Sequence, residues 1–162
     1  MTAPVQTDDL VQGAVKWLSG FTDIRDVLGF YPDTDTPYLF QHTLWVRVEG
    51  SGATAAVIGR GGSWAGANVY NTMQYPRLTL ELYVDPMRDD AHNVVDPGES
   101  YRRIEAAWQA FDRRLHRAGD GDQRWGTVRT LACVRLAEPT VYPVPGGDGM
   151  LRMQTFYAVT AG

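Results

Sequence analysis

The groups in this chain that could do chemistry are three histidines, one cysteine, four serines and a cluster of aspartates. A metal centre needs His, Cys or carboxylate ligands at spacings that bring them together. His42, His92 and His116 offer no i,i+4 helical pair and no HExxH frame, so metal ligation is not expected. Ser19, Ser51, Ser63 and Ser100 lie in no nucleophile-elbow context; Ser63 follows two glycines, but no strand–turn–helix pattern surrounds it. Asp85, Asp89, Asp90 and Asp96 enclose Arg88, a pattern that reads as a solvated acidic loop. The lone Cys133 excludes an internal disulfide and sits in a strand pattern as a small buried hydrophobe. The triplet Asp33-Thr34-Asp35 lacks the glycine and distal glutamate of a calcium loop. No active site assembles from these groups, and no metal or cofactor is expected.

The stretch Gly59–Pro76, GRGGSWAGANVYNTMQYP, is longer than the usual connection inside a compact domain. Its glycines invite a phosphate-loop reading, but the Lys-Ser/Thr ending is missing, and the Rossmann glycine spacing fails. What remains is a loop carrying Arg60, Trp64, Tyr70, Met73 and Tyr75. Aromatics, methionine and arginine are the residue types that anchor protein interfaces. These five, with Arg88 from the acidic loop, form the candidate interface set. The competing reading is a hairpin excursion folded back on its own sheet.

The elements that must position these groups begin with the clearest signal in the chain, Asp96–Gly119. Asp96 can cap a helix, Pro97 suits its first position, and Glu99 completes an Asp-x-x-Glu capping box. Tyr101, Ile104, Trp108, Phe111, Leu115 and Ala118 recur every three or four residues, with Ala107 widening the stripe. Arg102, Arg103, Glu105, Gln109, Asp112, Arg113 and Arg117 face away, and Gly119 supplies a stop. The pattern predicts a helix over 96–118, about 33 Å long, lying across a sheet. On that reading Trp108→Ala costs about 3–5 kcal/mol.

A first helix starts at Thr7, buries Leu10, Val11, Ala14, Trp17 and Leu18, and ends at Gly20, with a short helical turn at Asp23–Leu28. From Tyr38 the period becomes two. Leu44, Val46 and Val48 alternate with Trp45, Arg47 and Glu49. Gly50–Gly52 then turns the chain into Ala53–Ile58 as a hairpin. Arg77–Val84 is the cleanest strand. GDGDQRWG reads as a tight loop, Thr127–Leu136 as a strand with Arg129 and Arg135 on its wet face or at an interface, and EPTVYPVPGGDGM as a long turn. Leu151–Val159 alternates as the last strand. The order predicts an α+β fold. An antiparallel or mixed sheet carries the long helix and the N-terminal helix on one face, within a single domain spanning 1–162.

A net charge of −4 argues against a general nucleic-acid binder. The acidic N-terminus lacks the regions of a signal peptide, and no apolar run approaches membrane-spanning length, so a soluble cytosolic chain is expected.

The N-terminal helix, the hairpin with its long loop, the strand YPRLTLELYVDP, the proline-capped helix DPGESYRRIEAAWQAF and the closing strands together resemble the tail terminator (tail completion) proteins of long-tailed bacteriophages, particularly those of actinobacteria. The resemblance runs from about Asp8 to Ala161 and brings no catalytic residues with it. It implies a non-enzymatic virion protein, assembled in the host cytoplasm as a homohexameric ring at the head-proximal end of the tail. Such a ring stops polymerisation of the major tail tube protein and meets the head-completion or connector proteins, and DNA passes through its lumen without sequence-specific binding. A head–tail connector or minor tail protein is the nearest alternative. From other classes, the alternatives are a small hydrolase using His42 or His92 with an aspartate, or a small-molecule-binding domain with Trp45, Trp108, Phe111 and Tyr157 around a cavity.

Overall fold

Strict alternation of leucines with polar residues gives strand β3 (Arg77–Val84) one apolar face, and the last strand, β7 (Leu151–Ala161), repeats the pattern over its whole length. The two pair antiparallel in full register, from Arg77↔Ala158 to Val84↔Leu151, and form the middle of the sheet. The computed structural model describes residues 7–31, 34–42, 44, 53–60, 77–116 and 123–161; of Thr7–Asp9, Arg60 and Gln123 it describes only the backbone. Around the central pair lie β1 (Leu39–Gln41), β2 (Thr54–Arg60), β4 (Gln123–Trp125), β5 (Val128–Arg135) and β6 (Thr140–Pro143). The sheet order is β1-β2-β3-β7-β5-β4, and β6 pairs with β7 at Thr140↔Gln154 to Pro143↔Leu151. Only β1–β2 is parallel, so the fold is α+β with a mixed sheet.

Helices α1 (Thr7–Leu18), α2 (Thr22–Asp26) and α3 (Pro97–Leu115) share one core with the leucine face. Helix α3 crosses β2, β3, β7 and β5. Helix α1 packs on β1–β2 at one end of the strand order and on β4–β5 at the other, so the sheet curls around it. Gly13 makes this approach possible. A Cβ there would lie 2.1 Å from the Trp125 carbonyl oxygen, so the helix backbone rests directly on β4. Trp125 is wholly buried, and its ring stacks on Trp17 at 5.2 Å. On the opposite sheet face a smaller cluster of Tyr38, Phe40, Ala55 and Val57 is covered by Tyr31 and Tyr83.

Several boundaries differ from the sequence expectation. Asp96 caps α3 as predicted, accepting from Gly98 N at 2.9 Å. Glu99 turns to Arg102 and Arg103 rather than closing a capping box, and its i,i+4 pair with Arg103 measures 3.0 Å. The helix ends at Leu115 with His116 as an extended cap, short of the expected Ala118. Gln123–Trp125 is a strand, not loop, because its Trp125 side chain belongs to the core. Thr140–Pro143 is likewise a strand inside the expected long turn. From Tyr38 the chain first forms a short strand that no hairpin expectation included. Leu39–Gln41 runs parallel to Ala56–Ile58, and His42, at φ 66, breaks the extended run. The expected hairpin arm Trp45–Glu49 and turn Gly50–Gly52, together with Arg117 to Gly119, lie outside the described residues.

Candidate assembly interface

Of the candidate interface set, Trp64, Tyr70, Met73 and Tyr75 lie outside the described residues, and Arg60 is described only as the last backbone position of β2. Arg88 is described. It pairs with Asp85 at 2.8 Å and donates to the Asp148 carbonyl at 2.5 Å, tying the loop after β3 to the turn before β7.

The α3 stripe sits one step round the helix from its predicted centre. Ser100, Ile104, Ala107, Ala110, Phe111 and Leu115 are buried, whereas Tyr101 is 50% exposed and Trp108 is half-buried. Small alanines, not the largest aromatics, face the sheet because a close-packed helix leaves no room for an indole there. The displaced side chains wall a groove. Tyr101, Glu105 and Trp108 form the helix side, Pro139 and Val141 the strand side, and Ile104 and Met153 the floor of a concavity of about 250 Å³. It continues past Tyr101 into a second concavity of about 240 Å³ between Val94, Pro97, Pro143 and Leu151. Val94, Val95 and Val141 are exposed along it.

The outer edge of β6 flanks this groove. Val144 N donates to Met150 O at 2.9 Å, two residues beyond the Tyr142↔Arg152 pair. Antiparallel pairs alternate between bonded and non-bonded. Thr140 and Tyr142 therefore bond β7, and Val141 and Pro143 turn their backbone outward. The outward edge thus offers one N–H, that of Val141, between Pro139 and Pro143. Proline on an edge strand is a recognised block to strand addition, so this edge is poorly suited to pairing with another strand.

A polar cluster braces the groove from behind. Asp112, expected on the exposed face of α3, accepts from Tyr157 Oη at 2.7 Å and pairs with Arg135 at 2.6 Å. Arg135 also lies 5.5 Å from the Trp108 ring centre, and its backbone N–H donates to His116 Nδ1 at 3.0 Å. The sequence pattern places Arg135 with Arg129, on the wet face of the strand or at an interface. A β-bulge moves it inward: Thr130 pairs with Ala161 but Ala132 pairs with Thr160, so one extra residue, Leu131, reverses the alternation. Burial, then the Asp112 charge, raises the Tyr157 phenol well above its ordinary range; burial, again with Asp112, raises the Cys133 thiol. Phe111 and Tyr157 are packed in the core rather than around a ligand cavity, and Trp45 lies outside the described residues.

On the opposite face, Arg152 reaches Glu81 at 2.5 Å and Tyr142, with its guanidinium near the Tyr83 and Tyr142 rings. Tyr83 donates to Glu81 at 2.8 Å. Burial, reinforced by Glu81, pushes its phenol up to about 12. Among the described residues, no group of three or more His, Cys, Asp or Glu could hold a metal ion, and no helix is long and apolar enough to cross a membrane.

The fold is thus a curled mixed sheet with the three described helices on its inner face and a groove with a proline-bearing edge at one flank. A chain from a solved structure described as "Virion of native gene transfer agent (GTA) particle" shares this fold. It matches with a TM-score of 0.53 over 94% of this chain and 95% of that one, at 15% sequence identity. No family model matches the sequence, and no curated protein does.

Proposed function

We propose that this chain is a structural protein of a phage-like virion, and within it the tail terminator. It forms a homohexameric ring on the head-proximal end of the tail tube, halts tube growth and presents the surface that joins the head. The observation that carries the virion role is the near end-to-end likeness to a chain of a gene transfer agent virion. The terminator role rests on the order of helix, strands, proline-capped helix and closing strands. Free sheet edges and an apolar groove supply surfaces that a ring would cover. The negative net charge suits a conduit, because phosphate contacts would retard DNA passing through it.

The test is assembly with and without this chain. With it, purified tail tubes should have one length and carry sixfold density at one end. Without it, tubes should grow to variable lengths and fail to join heads. Tubes of normal length that lack this chain, or a protein that stays monomeric and leaves no density at the tube end, would refute the terminator role.

A further inference from the structure

We propose that the α3–β6 groove is the socket for residues 60–77 of a second copy of this chain, with Trp64 as the principal anchor. The proposal rests on the ring reading and names the contact that builds it.

Three observations lead there. The first is charge. Residues 60–77 contain Arg60 and Arg77 and no acidic residue. The groove lining carries one carboxylate, Glu105, which has no ion-pair partner among the described residues. Glu138, the chain neighbour of the lining residue Pro139, has a side chain that is 80% exposed, with a 3.5 Å contact to Arg135. An apolar floor with an acidic rim suits an aromatic segment flanked by arginines.

The second is reach. The 60–77 excursion leaves the sheet where Arg77 pairs with Ala158, whereas the groove floor is Met153 and Leu151. At about 3.3 Å per residue these lie about 17–23 Å apart along β7. Trp64 is four residues from Arg60 and Tyr75 two from Arg77, which limits them to about 14 Å and 7 Å even when fully extended. The backbone at Trp64 and at Tyr75 therefore stops short of the groove of its own chain, and in the proposed contact a second copy supplies these side chains.

The third is the edge. Pro139 and Pro143 leave β6 a single outward N–H, which disfavours a docked strand and favours anchoring by side chains. Because socket and segment are different surfaces at different ends of β7, the contact is heterologous, the kind that propagates round a ring.

The experiment mixes full-length W64C with full-length V141C under mild oxidation, on tail tubes, with W64C plus Q109C as the control pairing. Native Cys133 is buried and does not compete. Disulfide-linked dimers should form at least about tenfold faster in the first mixture, the margin expected when docking aligns the thiols. In parallel, R60E and E105R should each weaken assembly about twofold to fivefold, as for exposed charge pairs, and the double variant should recover it. Wild-type rings that form while cross-linking stays at the control level would overturn the socket and leave the ring standing. So would a W64C/V141C double variant that closes within one chain. Wild-type chains that never assemble on tubes would overturn both.

Discussion

Replacing Gly13 by alanine tests the way α1 closes the curled sheet. Helix propensity alone favours the change by about 1 kcal/mol, because an interior glycine loses more backbone freedom on folding. The structure predicts the opposite sign. The new Cβ would sit 2.1 Å from the Trp125 carbonyl oxygen and 2.7 Å from its carbon. The obstacle is backbone, held in β4 by the Trp125↔Val128 pair, so no side-chain rotation relieves it. The helix must lift off β4, loosening the Trp17–Trp125 stack and the core beneath. Overpacking of this kind costs about 1–3 kcal/mol, and so severe an overlap belongs at the upper end. Net of propensity, Gly13→Ala should lose about 1–2 kcal/mol, a fall of roughly 2–8 °C in a domain of this size. Thermal melts followed by tryptophan fluorescence read it, with Gln12→Ala at the exposed neighbour as a control for propensity. A Gly13→Ala protein that melts at or above wild type would show that α1 does not rest on β4.

Arg135→Met should cost about 2 kcal/mol in urea melts, because it strands the Asp112 carboxylate behind the groove while the partial exposure of the pair softens the loss; pairing it with Asp112→Asn, which removes the charge and keeps an acceptor for Tyr157, should recover much of that, and no recovery would place their stabilisation elsewhere. For Asp23, burial raises the carboxyl pKa, but the Arg114 hydrogen bonds and charge outweigh it and the net shift is downward. Asp23 therefore stabilises the fold at neutral pH and loses that contribution as pH falls below the ordinary carboxylate range, so Asp23→Asn should narrow the gap to wild type in acid melts, and a gap unchanged between pH 7 and 3 contradicts the pairing. Tyr83 has the opposite sign: its phenol, raised to about 12, contributes fully below about pH 10 and loses its contribution as pH climbs through 12, so Tyr83→Phe should flatten alkaline unfolding over that window.

How much of this was legible in the sequence depended on whether a residue's setting was local. β3 and β7 follow from period-two alternation, and the start of α3 from Asp96 and Pro97, because those signals lie within a few residues of what they specify. The groove was not legible. A helical wheel centred on Tyr101 and Trp108 ranks side chains by hydrophobicity, whereas the sheet selected the alanines for fit and pushed the two aromatics to the flank. β4 was missed because three residues carry no period, and β6 because its prolines read as turn chemistry until β7 was there to pair with. Asp112 and Arg135 looked like solvent-facing charges; only the distant Tyr157 and the extra residue in β5 turned them toward each other. The stretch that carries Trp64 and its neighbours was visible as a composition, and it lies outside the described residues.

The bulge at Leu131 makes β5 a strand of two phases. Before it, Val128 and Thr130 point inward; after it, Cys133 and Arg135 do. Removing that one residue would leave Thr130 beside Ala132, opposite Ala161 and Thr160, which are themselves adjacent, so the ladder would become regular. Val134 would stay outward and Arg135 would stay turned toward Asp112. The extra residue is therefore dispensable to the pairing itself, and what it supplies is the local bend and added twist of a bulged strand. A substitution at Leu131 alters a side chain, whereas a deletion there straightens β5 and leaves the division between core and surface as it is.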